Sequence, residues 1–209
     1  LSLAKKIYAQ VKYGKDKIYS VHEPEVSCIS KGKANKKYEF GNKVGIATTS
    51  KSCWIVGAAS FPCSPYDGHT LAKTMENVKN NLGRESVRAF TDMGYRNHDY
   101  TGNAEVIVDK KRKGNTSNTL WKWMKRRAAI EPVIGHLKSD NRFNKNKLKG
   151  KVGDEINAIM SAAAFNFKKL LRYFAFFYSY LFKNHYFAKA VIGVFLIFIV
   201  KLTSMRFAV

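Results

Sequence analysis

Cysteine is rare in this chain. Cys28, Cys53 and Cys63 are the three present among 209 residues. An odd number so widely spaced excludes a disulfide framework and fits a reducing cytoplasm. The Cys53-x9-Cys63-x5-His69 spacing lacks the close pairs of a zinc site, so all three read as small apolar residues. Long apolar runs are scarce as well. Lys5, Lys6 and Lys12 interrupt the opening segment, and no secretory signal is expected there. The unbroken apolar stretch at residues 190–200 would span about 16 Å as a helix, short of the roughly 30 Å hydrocarbon core of a bilayer. Acids are the third shortage. Asp and Glu number 15 against 37 Lys and Arg, a formal net charge of +22, which points to a polyanionic partner.

The basic excess is uneven. Between residues 110 and 151 stand 14 Lys or Arg against Glu131 and Asp140 alone. A nucleic-acid surface is the first reading of such a block, and a merely solvated basic face is the alternative. Lys outnumbers Arg 28 to 9, a bias that an A/T-rich genome would also produce.

Residues 1–13 read as the end of a helix, with Leu3, Ile7 and Val11 near four-residue spacing. Residues 17–21 are a short strand candidate, and the His22-Glu23-Pro24-Glu25 cluster marks a surface turn at Pro24. Residues 38–49 and 53–60 are β-rich and joined at Ser50-Lys51-Ser52, which reads as a hairpin. A helix is expected over 69–80, capped by Asp67. Further strands are expected at 86–91 and 105–109, and helices at 117–138 and 154–175. His98 and Asp99 fall in a loop and read as solvated.

Three acids are candidates for chemistry. Asp92 ends the strand that closes 86–91, and a carboxylate at the carboxyl end of a strand faces the crevice where open α/β sheets bind ligands. A turn-forming Asp before Gly94 is the competing reading. Asp67 follows a strand and precedes a helix, but a residue shaping that turn is the simpler account. Glu131 lies in the stretch Met124-Lys-Arg-Arg-Ala-Ala-Ile-Glu-Pro-Val-Ile-Gly-His-Leu-Lys138. On an uninterrupted helix Arg127, Glu131 and Lys138 fall within roughly 40° of one another, with Met124 and Arg142 on the same side. Trp123, Ile130, Ile134 and Leu137 then form an apolar stripe about a quarter turn away. One carboxylate would thus sit between two cations. An exposed Arg–Glu pair is the plainer reading, and Pro132 would kink the helix and change the projected face.

The spacing Arg127-x3-Glu131-x6-Lys138 resembles the C-terminal catalytic signature of bacterial insertion-sequence transposases of the DDE class, with Met124 in place of the usual Tyr. Asp92-Met93-Gly94-Tyr95 resembles the Asp-x-Gly-Tyr block of the same class. The runs Lys17-Ile-Tyr-Ser-Val-His-Glu-Pro-Glu25, Lys31-Gly-Lys33, Tyr38-Glu-Phe-Gly41, Pro65-Tyr-Asp-Gly-His-Thr-Leu71 and Ala129-Ile-Glu-Pro-Val-Ile-Gly-His136 are similar to the insertion sequence five family, in order, over roughly residues 3–175. This resemblance implies an α/β, ribonuclease-H-like catalytic fold followed by C-terminal helices. It implies metal-dependent DNA strand cleavage and strand transfer, with Asp92 and Glu131 as catalytic and metal-binding acids for Mg²⁺ or Mn²⁺. Arg127 and Lys138 would grip transposon-end phosphates, with Lys111, Arg112, Lys113, Arg126 and Arg142 also on the DNA, and Asp67 would be structural. Partners would be transposon ends and target DNA, bound by a homo-oligomer in the nucleoid-associated cytoplasm.

No residue stands where that family places its first catalytic Asp, and Asp16 lies in a Lys-rich turn. The resemblance therefore implies a partial catalytic domain over residues 1–175 that lacks its first strand, an N-terminally truncated and inactive copy being one expectation. A non-catalytic basic DNA-binding remnant is the alternative. Residues 176–209 form a hydrophobic tail. It reads as a packing helix or as sequence past the family's usual end, with a membrane hairpin as the less favoured account.

Overall fold

The computed structural model describes residues 1–14, 16–30, 37–109, 117–183 and 193. Contacts divide the chain into two compact units, Leu1–Phe165 and Asn166–Val209. The first opens with α1 (Ser2–Tyr8), β1 (Ser27–Ser30), β2 (Tyr38–Gly41), β3 (Lys43–Thr48) and β4 (Ile55–Phe61). Then follow α2 (Asp67–Leu82), β5 (Arg88–Thr91), β6 (Glu105–Val108), α3 (Asn118–Arg126), α4 (Ile130–Asp140) and α5 (Gly150–Lys183). The architecture is mixed α/β, with three two-stranded sheets among the described residues and helices toward the C-terminus.

β1 and β2 pair antiparallel, Ser27 opposite Gly41. β3 and β4 pair antiparallel, Lys43 opposite Phe61, with an irregularity at Ala47/Thr48. Their connection turns at Ser50-Lys51-Ser52, as the sequence predicts. Thr49 closes it by accepting the backbone N–H of Trp54 at 3.0 Å on its hydroxyl and that of Cys53 at 2.9 Å on its carbonyl. β5 and β6 run parallel, Arg88 opposite Glu105, an arrangement that needs a crossover rather than a hairpin.

Side chains alternate across a strand, and β3–β4 uses both faces. Gly57 points at α2: a Cβ there would stand 2.7 Å from Val78 Cγ2, so glycine is what lets the helix lie on the strand. On the opposite face Ile46, Ile55 and Ala58 pack with Val133 and Leu137 of α4 and Ala162 of α5. The β3–β4 pair is therefore the middle layer between helices. A second cluster joins Leu71 and Met75 of α2 to Ala89 of β5, Val106 of β6 and Ala104. Leu137 is fully buried. Leu137→Ala should cost about 2–5 kcal/mol, read as a lower urea midpoint at an unchanged slope of free energy against urea.

The expected helix over 117–138 is broken. α3 stops at Arg126, a 3₁₀ turn covers Arg127–Ala129, and α4 begins at Ile130. Pro132 is the physical reason. It has no N–H to give the carbonyl four residues back, and restarting the helix at Ile130 puts Pro132 in a first turn, where that donor is not needed. Residues 17–21 form no strand, a correction to the sequence reading. The Gln10 side chain instead accepts the Ile18 N–H at 2.6 Å and donates to the Ile18 carbonyl at 3.2 Å.

Among the described residues no helix is long and apolar enough to cross a membrane. The tail at 190–200 lies outside the described residues except for Gly193. In the second unit Phe167, Leu171, Phe174 and Phe177 of α5 are exposed.

Candidate active site

Asp92 follows the last residue of β5, as the sequence predicts, and is exposed. Its carboxylate also does the turn-forming work that competed with the catalytic reading: Oδ1 accepts the Gly94 N–H at 2.9 Å and caps the 3₁₀ turn Met93–Tyr95.

Asp67 departs from its expected role. The N-cap of α2 is Tyr66, Asp67 is the first helical residue, and no side-chain cap bond forms. Its carboxylate pairs with Lys43 Nζ at 2.9 Å, in a helix first turn where negative charge is favourable. Asp67 also comes close to Asp92. A Cβ built on Gly94 would stand 2.5 Å from Asp67 Oδ2 and 3.1 Å from Asp92 Oδ1. Both carboxylates therefore converge on Gly94, and glycine leaves them room. Sequence reasoning missed this approach, since Asp67 and Asp92 belong to separate motifs and only the glycine hints at crowding.

Tyr95, half-buried, feels the charge of both. Burial pushes its phenol above the ordinary value, the negative charges of Asp67 and Asp92 add to that, and a hydrogen bond with Thr70 opposes it. A phenol harder to ionise in the folded than in the unfolded chain keeps its proton longer. Its stabilising contribution is complete below about pH 10, the unfolded value, and fades as pH rises through the folded pKa. Stability should thus fall on the alkaline side of pH 10, and Tyr95→Phe should remove that part of the slope in denaturant titrations at stepped pH.

Glu131 is the second residue of α4 and is exposed. The face projected for Arg127, Glu131 and Lys138 does not survive the 3₁₀ turn. Arg127 pairs with Asp109 at 3.1 Å. Lys138 Nζ stands 3.8 Å from Glu39 Oε2. Arg126 donates to the hairpin carbonyls of Ser50, at 2.7 Å, and Lys51, so it braces the β3–β4 turn. Arg142 lies beyond the end of α4 in a left-handed conformation, φ 55°. Met124, projected beside the cations, is buried, whereas Trp123, Ile130 and Ile134 line a cavity and only Leu137 of that stripe is core. Lys111, Arg112 and Lys113 lie outside the described residues. His69 Nδ1 meets Asp99 Oδ2 at 2.9 Å, so Asp99 is paired rather than simply solvated. Glu23 accepts the Gly150 N–H at 2.8 Å and ties its turn to the start of α5.

The cavity holds about 270 Å³ and is bordered by β3, β5, α2 and the α3–α4 region, with Asp92 and Ile130 both on its wall. Glu131 itself does not line it, although its neighbour Ile130 does.

Residues 17–167 match the sequence profile of a family described as the transposase DDE domain. The chain belongs to that family. The match runs from the segment before β1 into α5, so it takes in both Asp92 and Glu131. No characterised protein and no solved structure matches the chain. DDE transposase domains generally work with divalent metal ions, which several oxygen ligands have to cage. Among the described residues no three His, Cys, Asp or Glu side chains form a group able to hold an ion, and Lys43 already neutralises Asp67. The described donor set of the transposase domain does not make a complete site.

Proposed function

We propose that this transposase domain binds the DNA of an insertion sequence and carries an incomplete catalytic centre for its cleavage and strand transfer. The ordered blocks quoted above support membership of the insertion sequence five family. The antiparallel β3–β4 pair and the parallel β5–β6 pair support a ribonuclease-H-like sheet interrupted between them. The observation that carries the reading is the position of Asp92: an acid at the carboxyl end of a parallel strand, on a cavity bordered by the first turn of α4. Asp92 and Glu131 are the proposed catalytic acids. Asp92 and Glu131 would supply part of the oxygen ligands of the Mg²⁺ or Mn²⁺ site that the family resemblance implies, and such an ion would contribute charge stabilisation at the phosphate.

DNA would be held by the basic block. Arg142, Lys145, Lys147, Lys149 and Lys151 are all exposed; Lys138 precedes them with a loose ion pair to Glu39 that a phosphate could displace, and Arg127, half-buried against Asp109, is proposed to reach the same DNA. Arg126 contributes by fixing the hairpin. A homo-oligomer on DNA and a cytoplasmic, nucleoid-associated location belong to the same proposal. The test is DNA binding followed against salt, together with strand cleavage followed in the parent chain and in Asp92→Ala. A chain that ignores DNA at low salt defeats the reading.

A further inference from the structure

Residues 156–209 contain seven Lys or Arg and no Asp or Glu. Within this acid-free part, the end of α5 that belongs to the second unit is dense in aromatics. Successive residues turn about 100° around a helix. Phe167, Leu170, Leu171, Phe174, Phe177 and Tyr178 then share an arc about 120° wide, and each is 40–65% exposed. Tyr180 borders this arc on one side and Phe182 on the other, widening it to about 200°, and both are exposed as well. Leu181 lies on the same arc and is buried. Lys168, Lys169 and Arg172 fall on the remaining side, where Phe176 is the one large apolar residue.

An exposed apolar side of that width, backed by cations, fits few environments. A coiled-coil partner covers a narrow seam, two positions in about seven, and would leave Tyr180 and Phe182 in water. A second copy would also set cations against cations, since no acid stands on this stretch of either helix. Duplex DNA would answer the charge but not the aromatic face. An anionic lipid surface answers both. Helices of this pattern lie in the bilayer interface with the apolar side about 5–10 Å deep. Tyrosine suits the headgroup level, where its ring is covered and its hydroxyl stays wet.

We propose that α5 from Phe167 to Phe182 lies flat on an anionic membrane surface. Phe167, Phe174 and Phe177 enter the acyl boundary, and the stems of Lys168, Lys169 and Arg172 carry their charges to the headgroup phosphates. The contact is peripheral. Among the described residues no helix is long and apolar enough to cross a membrane, and a helix lying flat does not have to. The net charge of +22 adds attraction toward the same surface, felt within a Debye length of about 8–10 Å. This goes beyond the DNA-binding reading and does not rest on it.

The test uses the full chain and co-sedimentation with vesicles, phosphatidylglycerol mixed with phosphatidylcholine against phosphatidylcholine alone. The mixed vesicles should bind it about tenfold more tightly or better, since each basic residue near an anionic surface is worth about fivefold. Phe174→Gln with Phe177→Gln should weaken that binding about tenfold or more, while Phe176→Gln, on the cationic side, should change it by about threefold at most. A single Phe177→Trp supplies a second readout. Brominated lipid should quench its fluorescence well beyond the quenching of Trp54, Trp121 and Trp123 in the parent, a result that stands even if the double variant folds poorly. Equal binding to both vesicles, binding that survives the double substitution, or no added quenching at position 177 overturns the proposal. Self-association that the double substitution abolishes, without vesicle binding by the parent, also overturns it, in favour of a second copy. Duplex DNA should bind the parent and the double variant alike, so failure here leaves the DNA-binding reading standing, and the reverse.

Discussion

Raising salt from 50 to 200 mM should weaken DNA binding by about a thousandfold or more. Duplex DNA carries a condensed layer of counterions, and each phosphate neutralised by Lys or Arg releases part of it. Six such contacts already give a thousandfold loss over this range. The exposed run Arg142, Lys145, Lys147, Lys149 and Lys151 offers five cations by itself, within a net charge of +22. Replacing Lys145, Lys147 and Lys149 together by Ala should flatten the slope of log K against log salt by about 2 to 3, at roughly 0.9 per phosphate contact. These side chains are exposed, so thermal stability should hardly move. An unchanged slope would put the DNA elsewhere, and the same substitution at Lys111, Arg112 and Lys113 would then locate it.

Much of the fold was legible because its signals were local. The β-rich runs at 53–60 and 105–109, the Ser50-Lys51-Ser52 turn and the helix near 69–80 depend on neighbours a few residues apart, and the structure places them at Ile55–Phe61, Glu105–Val108 and Asp67–Leu82. Residues 27–30 gave no such signal. Ser-Cys-Ile-Ser is short and mostly polar, and it becomes a strand only through pairing with Tyr38–Gly41. The segment 17–21 gave a false one: its composition suits a strand, but Gln10 takes both backbone groups of Ile18.

The site was legible as a list and not as an arrangement. Placing Asp92 at the end of a strand needed only the strand. Placing Arg127 and Lys138 beside Glu131 needed an unbroken helix of 3.6 residues per turn. A 3₁₀ turn has 3.0, so three residues of it shift the phase of everything beyond, and the cations separate to Asp109 and Glu39. Pro132 carried the warning, since a break was foreseeable there though its geometry was not. The approach of Asp67 to Asp92 is a tertiary fact with no sequence period behind it.

The chain of 209 residues should bind DNA and leave it intact in Mg²⁺. Two-metal phosphoryl transfer needs ions about 3.5–4 Å apart on the attacking and leaving oxygens, and a hard cation wants several oxygen ligands in a fixed cage. Asp92 is tied to the Gly94 N–H, Asp67 to Lys43, and Glu131 stands on a helix first turn without a third described acid beside it. On the proposed incomplete centre, preorganised charge compensation worth about 10²–10³ in rate or more is lost. Nicking of supercoiled plasmid should therefore stay at the background of a protein-free control. Fusing an N-terminal apolar strand that ends in Asp, the acid that the family resemblance implies, should bring Mg²⁺-dependent nicking above background. That gain should disappear with Asp92→Ala or Glu131→Ala. It should survive better in Asp67→Asn, where the charge removed is one that Lys43 already offsets. Nicking by the unfused chain that vanishes with Asp92→Ala would place the third acid within these 209 residues and refute the incomplete-centre reading.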